Sequence, residues 1–312
     1  MSQVEILKPG APALPERFLG RVGGPGLRLL VLGALHGNEP DGVIALQSVL
    51  TAVEQRGLAL RGSVTGLLGN RRAYNRGLRY LERDLNRGWG DSSEPEDETA
   101  LERRELSAAI ELEVQAAKDA GERILVLDLH STSGPGAPFA IPPPGGAQGL
   151  IEEALDASGL PQVAGLAERI DSALLSWLQL RGVDCLVMEG GQADRPETSL
   201  NLEAALWRVL GALLGLPEAQ QVSVEAEEQL VRATDGLPAH LEVSYVHETT
   251  ANSQFIMDRP QGRPFAGFQA VAEGELLAQD VGGPITAPFD GYLLMPLYQG
   301  QGGEGFFLAR GI

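Results

Sequence analysis

The chain has 312 residues, a formal net charge of −18 and 43% hydrophobic residues, enough for one large core or two modest ones. So acidic a protein would be repelled overall by nucleic acid or by an acidic membrane surface, which sets both aside as partners. Its one cysteine, Cys185, excludes an intramolecular disulfide, and no stretch is long enough to span a bilayer, so the expected location is the cytoplasm.

Met1 to Phe18 contains no run resembling a secretory signal. An apolar run from Leu27 to Leu35 predicts a strand, and Val43 to Gln55 a helix. Ser63 to Leu68 is the next candidate strand. Leu78, Leu81 and Leu85 stand at helical spacing, so a charged surface helix is one reading of Leu78 to Arg87. Asp91 to Glu98 is acidic and proline-interrupted, an exposed loop before a helix over Thr99 to Ala120. Strands are predicted at Ile124 to Leu129 and Val183 to Met188, with helices over Glu168 to Leu180 and Glu197 to Leu214. Between them Gly134 to Pro138 and Pro142 to Gly146 read as loops.

The strand candidates are nearly continuous apolar runs, as expected when helices cover both faces of a sheet. Their alternation with helices predicts a layered α/β domain with a mainly parallel sheet. After Pro217 the texture changes. Short runs such as Leu241 to Val246 and Tyr292 to Met295 alternate with glycine and proline turns, which predicts a small all-β domain. The expected division is residues 1–217 and 218–312.

Reactive side chains cluster where these strands end, the edge at which open α/β sheets bind ligands. His36 and Glu39 follow the first run in Gly33-Ala34-Leu35-His36-Gly37-Asn38-Glu39. His130 closes Leu125 to His130, and Glu189 closes Cys185 to Glu189. Between them Arg79, Asp84, Asn86 and Arg87 share one segment. Two imidazoles and a carboxylate are the donors of a three-ligand zinc site with an open position, and a further carboxylate beside it suits a general base. Each residue also has an ordinary explanation. Glu39 suits the positive end of a helix, His130 a hydrogen-bonded turn, and Glu189 a strand-to-loop acid.

In this order, Gly33 to Glu39, Asp84-Leu85-Asn86-Arg87, Asp128-Leu129-His130-Ser131-Thr132 and Glu189 resemble the zinc carboxypeptidase superfamily, in its succinylglutamate desuccinylase/aspartoacylase branch. The resemblance implies a three-layer α/β/α catalytic domain with a mixed, mainly parallel sheet. It also implies a small barrel-sandwich-like β domain at the C-terminus that shapes the site entrance. His36, Glu39 and His130 would hold one Zn²⁺ per chain. Glu189 would take a proton from the attacking water and pass it to the leaving amine, and Arg79 would stabilise the oxyanion. Asn86 and Arg87 would hold a substrate carboxylate, and Asp84 would bond the second nitrogen of His36. Asp128 shares a strand face with His130 and is expected to be structural.

The pattern departs from the family in two places. Relatives carry a substrate-gripping tyrosine near the C-terminus, where this chain reads Gly303-Glu304-Gly305-Phe306-Phe307, with Tyr298 nearby. A further carboxylate-binding arginine has Arg181 as its nearest candidate. The implied activity is zinc-dependent hydrolysis of a small N-acyl amino acid or related carboxylate-bearing amide. A carboxypeptidase acting on short peptides and a non-catalytic ligand-binding relative are the alternatives. A biotin- or lipoate-carrier role for the β domain fails, because no lysine follows Lys118. His240 and His247 are expected at the surface or in packing. A homo-oligomer is compatible with the sequence.

Overall fold

In the computed structural model, which describes residues 13–91, 93–170, 173–216, 223–249, 254–257, 262–298 and 303–312, strands and helices alternate through the first two-thirds of the chain. They run β1 (Phe18–Gly23), β2 (Leu27–Gly33), α1 (Asp41–Gln55), β3 (Gly62–Leu68), α2 (Arg71–Tyr74), α3 (Glu98–Ala120) and β4 (Ile124–Thr132). Next come β5 (Phe139–Ile141), α4 (Leu150–Ser158), β6 (Gln162–Ala164), α5 (Leu174–Gln179), β7 (Asp184–Gln192), α6 (Pro196–Leu214) and α7 (Val224–Thr234). Strands alone follow: β8 (His240–Glu248), β9 (Ile256–Met257), β10 (Gln269–Val271), β11 (Leu276–Asp280), β12 (Gly283–Thr286), β13 (Gly291–Leu294) and β14 (Glu304–Gly311).

One mixed sheet organises the molecule, in the order β1-β3-β2-β4-β7-β5-β6-β8-β14-β13-β10. Its centre, β3-β2-β4-β7, is parallel. Because strand side chains alternate, successive residues of β2 enter different cores. Leu29 and Val31 pack with Leu46 and Val49 of α1 and Leu206 and Leu210 of α6. Leu30 and Leu32 pack on the other face with Leu106 and Ile110 of α3 and Trp177 of α5. Burial on both faces is why these strands read as nearly continuous apolar runs, and the result is the three-layer α/β/α architecture.

The connection from β2 leads to β3 on one side, whereas β4 lies on the other side of β2. The loops after β2 and β4 therefore diverge and leave a crevice at their C-terminal ends.

The boundary expected at Pro217 lies outside the described residues. Beyond it, α7 still belongs to the first core, where Ala226 and Leu230 are buried. Of the C-terminal strands, β8, β14, β13 and β10 continue the main sheet, and β12-β11-β9 form a separate small sheet. Two local expectations need correction. Glu168 to Leu180 is not one helix, since a short 3₁₀ turn at Ala167–Arg169 precedes α5. The helical spacing of Leu78, Leu81 and Leu85 also misleads. Leu85 is buried while Leu78 is exposed, and the segment is an irregular loop.

Candidate metal centre

Strand β2 ends at Gly33, and Ala34 takes a left-handed conformation with φ of 57°. That conformation costs a non-glycine residue roughly 1–2 kcal/mol and turns the chain sharply into the loop that carries His36. Gly37 is required next, because a Cβ there would lie 2.2 Å from the backbone of Ala73 and Tyr74. Its N–H donates to the Arg79 carbonyl at 3.0 Å, which ties this loop to the segment carrying Arg79, Asp84, Asn86 and Arg87.

His130 near the end of β4 and Glu189 near the end of β7 are paired in register across adjacent parallel strands. Period-two alternation turns both away from Leu129 and Met188, which belong to the first core. Gly190 follows Glu189 at a point where a Cβ would meet Leu202 Cγ at 2.6 Å, so its absence lets α6 close on β7.

Glu39 stands between the two imidazoles. Its Oε1 is 2.8 Å from His36 Nδ1 and its Oε2 is 2.9 Å from His130 Nδ1. The Ser131 N–H also donates to Glu39 Oε2 at 3.1 Å. On the outer sides, His36 Nε2 is 3.0 Å from Asp84 Oδ1 and His130 Nε2 is 3.0 Å from Asp128 Oδ2. Arg79 donates to Glu39 Oε1 at 3.1 Å and to Asp84 Oδ2 at 3.3 Å.

All three ligand candidates are buried, and one donor atom from each lies within 4.8 Å of the others. This arrangement fits a divalent cation chemically. An Nε2–H donated to Asp84 or Asp128 leaves each Nδ1 lone pair facing the Glu39 carboxylate, a neutral–neutral–anionic set suited to zinc. Asp128 therefore has the same relation to His130 that Asp84 has to His36. The shared strand face was visible in the sequence, but this bond was not read from it.

Charge states reflect the crowding. Burial opposes ionisation of Glu39, but the flanking imidazoles outweigh it and hold the carboxyl well below its usual range. Asp84 is likewise depressed against its burial, chiefly by His36 and then Arg79. Both imidazoles are disfavoured as cations by burial, yet Glu39 beside His36 and Asp128 beside His130 raise their pKa values. Glu189 moves the other way. Burial pushes it up to about 7, with His130 opposing and Glu39 adding to the rise. Its Oε2 is buried without a hydrogen-bond partner, a carboxylate oxygen kept unpaired beside the imidazole–carboxylate cluster.

A stability prediction follows for metal-free protein. The folded pKa of Glu189 lies above the unfolded carboxyl value, so the native state holds the extra proton and stability falls as pH rises from about 4.5 through 7. Glu189→Gln removes that penalty. Chelated variant should melt several degrees above chelated wild type at pH 8, on the order of 2 kcal/mol, and nearly with it at pH 5. Thermal melts at the two pH values check this; an unchanged difference between them would count against a buried, proton-retaining Glu189.

Arg79, Asn86, Arg87, Asp128, His130, Glu189 and Glu304 line one cavity with the apolar side chains of Ile141, Leu166, Leu175, Val187, Met295 and Phe307. Asn86 accepts the Leu174 N–H at 2.9 Å, which anchors the start of α5. Arg87 is committed to Glu304 of β14, with 2.9 and 3.0 Å from its Nη2 to the two carboxylate oxygens. Arg181 is not part of this cavity. It stacks 3.9 Å above the Trp177 ring on the other side of α5, which corrects its candidacy as a carboxylate ligand. Tyr298 is also elsewhere, its hydroxyl accepting the Phe265 N–H at 2.8 Å. His247 stacks against the Phe255 and Phe306 rings in a three-ring cluster, as a packing residue, and His240 is exposed.

Residues 25–140 match the succinylglutamate desuccinylase/aspartoacylase catalytic domain. A succinylglutamate desuccinylase of Ectopseudomonas mendocina (strain ymp) is 33% identical over 110 residues, which is 34% of this chain and 31% of that protein. The chain thus matches about a third of that curated relative's length. The fold is similar to a succinylglutamate desuccinylase structure from Vibrio parahaemolyticus, with a TM-score of 0.66, 17% identity and coverage of 91% of this chain and 82% of that one. A succinylglutamate desuccinylase/aspartoacylase structure from Rhodobacter sphaeroides gives a TM-score of 0.65 at 18% identity, covering 94% and 87%. No helix among the described residues is long and apolar enough to cross a membrane.

Proposed function

The chain belongs, through residues 25–140, to the succinylglutamate desuccinylase/aspartoacylase family, and we propose that it is a zinc-dependent hydrolase cleaving the amide bond of a small N-acyl amino acid or related carboxylate-bearing amide. The observation that carries this reading is the convergence of His36, Glu39 and His130 on one point with the unpartnered Glu189 carboxylate beside it. A bound zinc ion would polarise the amide carbonyl and make water a nucleophile near neutral pH.

The chain's own residues supply the rest. His36, Glu39 and His130 would hold the ion, with Asp84 and Asp128 fixing the imidazole rings. Glu189 accepts a proton from the attacking water and returns it to the departing amine. A carboxyl group poised near neutrality suits both halves of that transfer. The Arg79 guanidinium places a fixed positive charge where negative charge develops on the former carbonyl oxygen. Asn86 and Arg87 orient the substrate from the cavity wall. We place the catalytic part in residues 1–217, with 218–312 contributing Met295, Glu304 and Phe307 to the cavity.

A screen of N-acyl amino acids and short peptides, scored by free amine with and without chelator, tests the reading. The expected result is hydrolysis of small N-acyl amino acids that stops on chelation and returns with added zinc. Cleavage restricted to peptides would favour a carboxypeptidase, and turnover indifferent to chelation would remove the metal from the mechanism.

A further inference from the structure

The cavity beside the proposed metal centre contains two cations among its described lining residues, Arg79 and Arg87. Neither is uncommitted. Arg79 bridges Glu39 and Asp84, and Arg87 donates to both oxygens of Glu304 while its other terminal nitrogen donates to the Asn86 carbonyl at 3.0 Å. Arg87 and Glu304 are 217 positions apart and are both partly shielded, with side-chain exposures of 30% and 22%. Partial shielding strengthens such a pair relative to one in open water. Apart from these charges the wall is largely apolar, formed by Ile141, Leu166, Leu175, Val187, Met295 and Phe307.

A carboxylate arriving at Arg87 meets a guanidinium already neutralised and a second carboxylate beside it. A first carboxylate can share Arg87 with Glu304, but each further carboxylate meets the Glu304 charge with no uncommitted guanidinium among the described lining residues, whereas an apolar substituent gains by leaving water for the aliphatic wall. We infer that Glu304, by occupying Arg87, sets this site for N-acyl amino acids with a single carboxylate and an apolar side chain, and against multiply anionic ones. This rests on the hydrolase reading above for what the cavity holds. Glu304 is a specificity residue here, with no part in the chemical step.

The test compares N-acetylleucine and N-acetylmethionine with N-acetylaspartate and N-succinylglutamate on zinc-loaded wild type and Glu304→Gln. Relative kcat/KM is measured, and Kd is measured by calorimetry in the Glu189→Gln background with and without Glu304→Gln. Wild type should favour the apolar compounds at least tenfold in both readouts. Glu304→Gln should move that ratio roughly tenfold towards the anionic compounds. A purely structural role for the pair would lower all four compounds together and leave the ratio unchanged, which overturns the proposal. So does a wild type that handles the anionic pair equally well or better, even though hydrolysis then upholds the deacylase reading. Preferential binding of the apolar pair without hydrolysis would do the reverse, sinking the deacylase reading and keeping the preference. If none of the four binds, both fall. Glu304→Ala provides a second variant should the glutamine protein fold poorly.

Discussion

Glu189→Gln should retain one bound zinc per chain and lose roughly a thousandfold in turnover, within the usual span for removing a positioned general base. The substitution keeps the side chain's volume in its buried position at the end of β7, so the packing of Gly190 against α6 is preserved. It also leaves His36, Glu39 and His130 with all their hydrogen-bond partners, since Glu189 takes part in none of those bonds. Only the ability to take and release a proton is lost. Metal content by atomic emission and single-substrate kinetics on the same preparation separate the two effects. A variant within tenfold of wild type would remove Glu189 from proton transfer. A variant that lost its metal would instead make it a structural member of the centre.

The central α/β layers were legible because burial on both sheet faces leaves a plain signal, the nearly continuous apolar runs beginning at Leu27, Ser63, Ile124 and Val183. The site residues were legible as candidates because they fall where those runs end, and few histidines compete for attention in a chain with four. What the sequence hid was tertiary. The bond from Asp128 to His130 joins residues two apart, a distance at which local patterns suggest only a shared strand face. The pairing of Glu304 with Arg87 spans 217 of the chain's 312 positions, and no local pattern announces it. Helical spacing misled at Leu78, Leu81 and Leu85 because the segment is fixed by contacts to the His36 loop and α3. The Gly37 N–H to Arg79 carbonyl bond and the Arg83–Asp97 pair replace regular helical bonding there. The continuation of the main sheet into β8, β14, β13 and β10 was equally invisible, since hairpin texture does not say which sheet a strand joins.

Glu39→Gln should abolish tight zinc binding and reduce hydrolysis to background. Glu39 is the one acidic member of the proposed ligand set, and it is also the hub of the cluster. Its two oxygens meet both imidazoles, the Ser131 N–H and the Arg79 guanidinium. Glutamine offers a single acceptor oxygen and an NH₂ that cannot ligate a cation, and it removes the negative charge that offsets Arg79 in a buried site. The outer carboxylates predict a graded series around this result. Asp84→Asn and Asp128→Asn each leave the three donors intact while weakening the hold on one imidazole, so zinc affinity should fall about 10–100-fold rather than vanish. Competition with a chelator of known affinity ranks the three variants, and thermal melts of each metal-free protein show whether the fold survives. Full zinc occupancy in a folded Glu39→Gln protein would exclude this carboxylate from the ligand set. Equal losses in all three variants would mean that the cluster fails as a unit, with no distinction between the groups that bind the cation and those that orient them.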